Sequence, residues 1–494
     1  MDRFLNELVL LVRSRYALIY LLSHEERRVE ARLRELADAT DFTIYAWRST
    51  RGISALDGAV LDGTQDVGGA LGAVLEISDP SVFVFFDFHI AMQDPFVVRQ
   101  VRDLEPVLAA RGQALVIVSP TLFVPTELEK DVTVIDVALP DAEEVGALID
   151  EVVARDGLPV DQVDRDGLSQ AALGLTASEI RRVFARIRLA GGALASSDIS
   201  FVVDEKRRVI RKSRFLEFTD VVDGMGAVGG MDNLKRWLEA RRAGFREEAR
   251  NFGLPSPRGL FLLGVQGCGK SLMSKAVADH WKMPLLRLDL GAVFQSAERA
   301  EESLRQTIRV AERLAPVVLW IDELEKGFAT TDAGAGRALG TFLTWMQEKT
   351  APVFVVATAN DVRSLPPELL RKGRFDEIFF VDLPNVHERL EILEIHLERL
   401  GREADKFDLP TLAEETEKFS GAELEQLIIA ALYQAFAEER DIDSGDLLET
   451  ARDMVPLAVT MDDHLKALRE WARPRARPAS VDRRRIDFFE EWGA

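Results

Sequence analysis

Short, unbroken apolar runs punctuate this chain, and each gives way to a polar or charged stretch. In the C-terminal half they include RGLFLL (258–263), APVVLWI (315–321) and PVFVVATA (352–359). Runs this short, rich in branched and aromatic residues and without alternation, read as strands buried on both faces. Between them lie longer stretches with helical spacing, such as LMSKAVADHW (272–281). Strands alternating with helices predict an α/β fold with a parallel sheet flanked by helices. Beyond residue 386 the apolar positions follow only the helical period, as in LEQLIIAALYQAFAEE (424–439), so 386–478 is expected to form a helical subdomain.

The N-terminal half repeats the order. YALIYLLS (16–23) is an apolar strand leading into a charged helix, SVFVFFDFH (81–89) parallels VVLWIDELE (317–325), and ALVIVSP (114–120) parallels FVVATAN (354–360). VPTELEKDVTVIDVALPDAEEVGALIDEV (124–152) parallels LPPELLRKGRFDEIFFVDLPNVHERLEIL (365–393), and GLTASEIRRVFARI (174–187) parallels FSGAELEQLIIAAL (419–432). Self-similarity in this order points to two modules on one plan. The alternative is two unrelated α/β domains with generic strand endings.

Chemistry enters at GVQGCGKS, Gly264 to Ser271, which fits the phosphate-loop pattern between a strand and a helix. Its glycines let consecutive amides face a phosphate chain, and the helix N-terminus adds partial positive charge. The expected nucleotide-binding set here is Gly264, Gln266, Gly267, Cys268, Gly269, Lys270, Ser271 and Leu272. Lys270 would reach the β- and γ-phosphates, and the Ser271 hydroxyl would hold Mg2+. The run APVVLWIDELEK (315–326) ends in Asp322, expected to hold the magnesium through water, and Glu323, expected to polarise the attacking water. Asn360 ends the next strand and can position that water from the side.

With these motifs in this order, residues 225 to about 435 resemble AAA ATPases of the AAA+ superfamily. The resemblance implies a P-loop NTPase core with a helical lid. It also implies further site residues. Val228 and Gly229 match the segment that cups adenine, His396 a histidine near the nucleoside, and Gly421 with Ala422 the lid positions near the nucleotide. Arg371 and Arg374 look like the arginine-finger pair that completes a neighbouring subunit's site. Over nearly its whole length the chain is similar to one subgroup, the AAA ATPase encoded by a conserved chloroplast reading frame, with its cyanobacterial and other bacterial relatives. Phrases carrying that likeness include RSRYALIYLLSHEERRV (13–29), LEFTDVV (216–222), PLLRLDLG (284–291) and ELLRKGRFDEIFFVDLP (368–384). One departure concerns the pore loop of AAA unfoldases, an aromatic followed by glycine. Here Phe294 has no glycine after it, which puts threading of a polypeptide in doubt.

The N-terminal module keeps the order without the chemistry. Ser23, His24 and Glu25 replace the glycine loop and lysine. Asp87 survives, Phe88 replaces the catalytic glutamate, Thr121 stands for the asparagine, and the arginine pair is gone. It is expected to bind no nucleotide and to serve docking or assembly.

Composition narrows the rest. At 494 residues the chain has room for two or three domains, and 47% apolar residues are ordinary for globular proteins. No run approaches the ~18 apolar residues of a membrane span. The N-terminus, broken by Asp2, Glu7, Arg13 and Arg15, lacks a signal-peptide layout. A net charge of −21 argues against nucleic acid as a main partner. KRRVIRKSR (206–214), the dense basic run, reads as a linker or docking segment. The single cysteine, Cys268, excludes an internal disulfide and fits a reducing, cytoplasmic compartment. It reads as a small filler, with redox sensing as the sharper alternative. SHEERRVE (23–30) fails as a zinc motif because Arg28 stands where the second histidine is needed, and no GxSxG occurs.

The expected organisation is a degenerate AAA-like α/β domain over 1–200, a connector over 201–224, an ATPase core over 225–385, a lid over 386–478 and a tail over 479–494. Phe488, Phe489 and Trp492 in that tail read as part of a frayed end. The leading function is Mg-dependent ATP hydrolysis by a homo-oligomer, a hexamer by resemblance, that remodels or activates a protein partner. The alternative is a slow nucleotide-gated switch or scaffold that signals through its assembly state.

Overall fold

The computed structural model describes residues 3–481 except 56–57, 157–161, 192–193, 212, 221–223, 246–248, 250, 295–299, 329–332 and 372. The aromatic residues expected in the tail, Phe488, Phe489 and Trp492, lie outside the described residues. The chain divides into two compact units, Met1–Asp198 and Ile199–Ala494.

The first unit holds β1 (Leu18–Leu22), β2 (Thr43–Arg48), β3 (Gly52–Ala55), β4 (Ser81–Phe86), β5 (Ala114–Ser119) and β6 (Val132–Asp136), in the order β3-β2-β4-β5-β1-β6. The second holds β7 (Leu216–Thr219), β8 (Gly259–Gly264), β9 (Leu285–Leu288), β10 (Val317–Ile321), β11 (Val353–Ala359), β12 (Glu377–Val381) and β13 (Arg477–Pro478), in the order β13-β12-β8-β11-β10-β9-β7. In each sheet one antiparallel strand caps an edge, β3 on β2 and β7 on β9, and the other pairings are parallel. Without the edge additions, both sheets share one order: β2-β4-β5-β1-β6 against β9-β10-β11-β8-β12. The shared order favours two modules on one plan over two unrelated α/β domains. Register agrees as well, because Phe86 opposite Val118 repeats Ile321 opposite Ala357. That equates Asp87 with Asp322, Ser119 with Thr358 and Thr121 with Asn360.

The apolar runs lack alternation because helices cover both faces of each sheet. In the first unit Phe83 and Phe85 face the helix Pro95–Arg111, while Val82, Val84 and Phe86 face the helix Glu26–Ala39. In the second, Leu319 and Ile321 pack toward the helices Ala300–Arg313 and Ala333–Glu348, and Val318 and Trp320 toward Lys270–Trp281. A strand buried this way must be apolar at every position.

Two expected boundaries are redrawn. The segment 201–224 is not simply a connector: Ile199–Ile210 is helical and β7 joins the second sheet. Lys206, in the basic run, is only 3% exposed, and burial lowers its amine to about 8. At the other end, the helical bundle stops near Asp453, with Leu393, Leu412, Leu427 and Leu447 in its core. The chain then returns to the sheet. Ala458 and Leu465 join the core of the large subdomain, Arg469 pairs with Asp382 at 2.8 Å, and β13 extends the sheet beside β12. Ala479, expected to begin the tail, is fully buried.

Where the first unit would need a phosphate loop, Ser23-His24-Glu25 runs directly into the helix Glu26–Ala39. The Glu25 carboxylate is buried. Its Oε1 accepts from the Ala177 amide at 2.6 Å, at the N-terminus of the helix Ala177–Leu189, and its Oε2 lies 3.2 Å from Arg28. Arg28 and Arg32 both reach Glu144, each at 2.5 Å, on the helix Ala142–Asp156. The Glu25 carboxylate thus occupies the electropositive end of the helix Ala177–Leu189.

Glu25→Ala leaves the Ala177 amide without its acceptor. The expected cost is about 1–3 kcal/mol, read as faster amide exchange across 177–187 in the full-length protein. Unaltered exchange there would show that the carboxylate does not hold this helix.

Candidate functional site

The C-terminal ends of β8, β10, β11 and β12 meet a cavity of about 420 Å³ in the second unit. β8 leads into the phosphate loop, where Gly267 and Gly269 sit at φ +78° and +81°. Side chains rarely adopt that backbone, and here it turns the loop back over the start of the helix Lys270–Trp281. Gln266, Gly267, Cys268, Gly269, Lys270, Ser271 and Leu272 line the cavity, and Gly264 closes the strand beneath them. Lys270 is 7% exposed and donates to the carbonyls of Gly264 at 2.9 Å and Val265 at 2.7 Å. Its burial pulls the ammonium down to about 8.

Beside the loop, the acids form a connected network. Asp322 Oδ1 accepts from the Ser271 hydroxyl at 3.1 Å and from the Thr358 hydroxyl at 2.7 Å. Thr358 in turn accepts the Glu323 amide at 3.0 Å. Glu323 sits at φ +49° and pairs with Lys326 at 2.5 Å, and Asn360 Nδ2 donates to it at 3.4 Å. The Asn360 amide donates to the buried Glu325 at 3.0 Å, and burial raises the pKa of that carboxyl. Ser271 and Asp322 supply two oxygens at hydrogen-bond distance, a donor set suited to a hard divalent cation.

The far end of the cavity is apolar. Val228 and Gly229 face Ile392 and His396. A Cβ at Gly229 would lie 2.6 Å from Ile392, so this close approach needs glycine. Burial depresses the His396 pKa, with Glu425 at 3.8 Å opposing it. Gly421 and Ala422 open the helix Gly421–Ala437, and the Ala422 amide donates to Gly267 at 3.0 Å, tying the helical bundle to the phosphate loop.

Thus the residues expected at the nucleotide and the metal converge on one cavity. Arg371 and Arg374 do not line it. Arg371 is exposed, and Arg374 donates to the Glu368 carbonyl. Cys268 is buried and its thiol is pushed up to about 12, which removes the thiolate that redox sensing requires. Phe294 ends a short helix and packs against the core, and residues 295–299 beyond it lie outside the described residues. Sequence reasoning missed Thr358, Asp382 and Ser480, all in the cavity wall. Thr358 is detectable in principle as the polar residue inside an apolar strand, whereas nothing near Ser480 in the sequence marks it. Among the described residues, no helix is long and apolar enough to cross a membrane.

Comparison with known proteins follows the same division. Residues 4–137 match the N-terminal domain of SpoVK-like AAA ATPases, and 143–213 their second domain. Residues 260–383 match the ATPase family associated with various cellular activities (AAA), and 406–449 the AAA+ lid domain. The chain is similar to proteins described as uncharacterized AAA domain-containing protein ycf46. The likeness is 38% identity in Trieres chinensis, covering 97% of this chain and 99% of the relative. It is 36% in Guillardia theta, covering 95% of each, and 36% in Pyropia yezoensis, covering 97% and 99%.

Lys270 generates a pH prediction. Its folded pKa, about 8, lies below the ordinary 10.5. Between those values the unfolded chain binds more protons, so the contribution of Lys270 to stability rises with pH across that window. A phosphate chain favours the charged amine. Triphosphate binding should therefore take up a proton and weaken above pH ~8, by up to about tenfold per pH unit. Calorimetry in buffers of different ionisation heat measures this uptake. Binding without proton uptake at pH 8–9 would contradict the assignment.

Proposed function

The chain belongs to the AAA ATPase family, and from that membership we propose that it hydrolyses ATP with magnesium as a homo-oligomer, a hexamer in the leading reading, that remodels or activates a protein partner. One observation carries the chemistry: Ser271, Asp322, Glu323 and Asn360 meet at the phosphate-loop end of a single cavity. In this reading Lys270 leaves the Gly264 and Val265 carbonyls for the β- and γ-phosphates. Ser271, and Asp322 through water, would hold the magnesium, which when bound would neutralise charge developing on the phosphates. Glu323 parts from Lys326 and takes the proton of the attacking water, which Asn360 positions. Val228, Gly229 and His396 enclose the base, and Gly421 and Ala422 transmit its presence to the helical bundle.

Arg371 and Arg374 lie off the cavity of their own chain, a placement suited to arginines that act on a neighbour. The first unit, with Glu25 in place of a phosphate loop, is assigned to assembly or partner docking without nucleotide. The packing of Phe294 against the core favours remodelling without threading. The excess of acidic residues disfavours a nucleic-acid partner, and a cytoplasmic location is the simplest for a chain with one buried thiol. A second reading is a slow nucleotide-gated switch. It is favoured by the pairing of Glu323 with Lys326 and Asn360, which engages the proposed base.

Steady-state turnover with ATP and magnesium tests both. Lys270→Ala should lose binding, and Glu323→Gln should hold ATP without turning it over. Arg371→Ala and Arg374→Ala should each lower turnover by about 10³–10⁵ while ATP still binds. Mixed Lys270→Ala and Arg371→Ala subunits should recover activity. Parent-like turnover in Glu323→Gln removes the assignment, and concentration-independent turnover by a monomer removes the shared site.

A further inference from the structure

We infer that Thr358 is the positioning residue that sets both acids of the site, an assignment that rests on the proposed hydrolysis. Its side chain is 1% exposed, inside β11 and in the cavity wall. A hydroxyl offers one donor and two acceptor lone pairs. Thr358 donates its proton to Asp322 Oδ1 at 2.7 Å and accepts the Glu323 amide at 3.0 Å. One oxygen thus fixes the side chain of the first acid and the backbone of the second.

Both bonds answer a specific need. Asp322 Oδ1 also takes the Ser271 hydroxyl at 3.1 Å. When that hydroxyl serves a cation instead, Thr358 is the donor that keeps the carboxylate oriented, as outer partners of metal-bound carboxylates do. Glu323 stands at φ +49°, a left-handed conformation uncommon for a residue with a side chain. Such a turn persists where the surroundings hold it: the Lys326 amide donates to the Glu323 carbonyl at 2.8 Å, and the Glu323 amide is held by its hydrogen bond to the Thr358 hydroxyl. Without the hydroxyl, the Glu323 amide would lose its acceptor and the turn would relax away from the cavity.

The first sheet supplies an internal control. Ser119 occupies the register of Thr358, yet its hydroxyl pairs with His89 Nδ1 at 2.8 Å and with the Thr121 carbonyl at 2.9 Å. Phe88 replaces the second acid there and is buried in the core. A hydroxyl is present in both sheets, but only in the second does it join two acids.

The full-length protein separates this role from packing. Thr358→Val keeps the shape and loses the hydroxyl; Thr358→Ser keeps the hydroxyl and loses a methyl group. With Thr358→Val, the expected results are a kcat about 100-fold lower, a KM for ATP within a few-fold of the parent, and about 10–100 times more magnesium for half-saturation. Thr358→Ser should restore all three to within a few-fold. Parent-like kcat and magnesium dependence in Thr358→Val would overturn the inference. So would a Thr358→Ser as impaired as Thr358→Val, because the methyl group and not the hydroxyl would then matter. If the parent itself shows no turnover, the proposed hydrolysis fails. The magnesium dependence of ATP binding then decides Thr358 alone, and an unchanged dependence in Thr358→Val would overturn it.

Discussion

Parallel pairing of β8 with β11 and β12, and of β10 with β11, brings the C-terminal ends of four strands to one edge of the sheet. The helices on either face cannot cover that edge, so polar groups gather there. The phosphate loop, the two acids, Thr358 and Asn360 come from separate parts of the sequence and meet only through this constraint. Each emerges from an apolar strand buried on both sides, which gives a polar residue at the strand tip a rigid base.

The two units show how one framework supports opposite outcomes. In the second, glycines and a lysine leave the helix N-terminus and the loop amides open to an outside anion. In the first, an acid stands where that loop would be and turns to a different helix. Glu25 meets the amide end of the helix Ala177–Leu189, and Arg28 and Arg32 tie the neighbouring helix through Glu144. Desolvating a charge is costly unless it is paired, and here the pairing is internal to the chain.

Much of this was legible in the sequence. The apolar runs marked the strands because double burial forbids alternation, and the phosphate loop is a local motif whose glycines declare their backbone. The repeat could be read because strand ends recur in order, and the shared strand order of the two sheets supports it. What escaped depended on contacts between distant segments. The return of residues 457–480 to the sheet looks like more lid, because a helix that packs on a sheet has the same period as one in a bundle. Cys268 could be read as reactive beside a helix N-terminus until its burial was known. Thr358 sits one residue before the last in an apolar strand, and its partners lie 35 and 36 residues away in the chain.

The β13 segment carries a consequence for the order in which the protein can be made. The Ala479 carbonyl accepts from the amides of Asn233 and Leu234, its own amide donates to Phe380, and Ser480 lies in the cavity wall. These residues follow every other part of the site in the sequence. A growing chain therefore has its phosphate loop and both acids long before the wall that encloses them is complete. Until residue 480 has left the ribosome, the free edge of β12 is open to pairing with another strand, the exposure that folded sheets avoid.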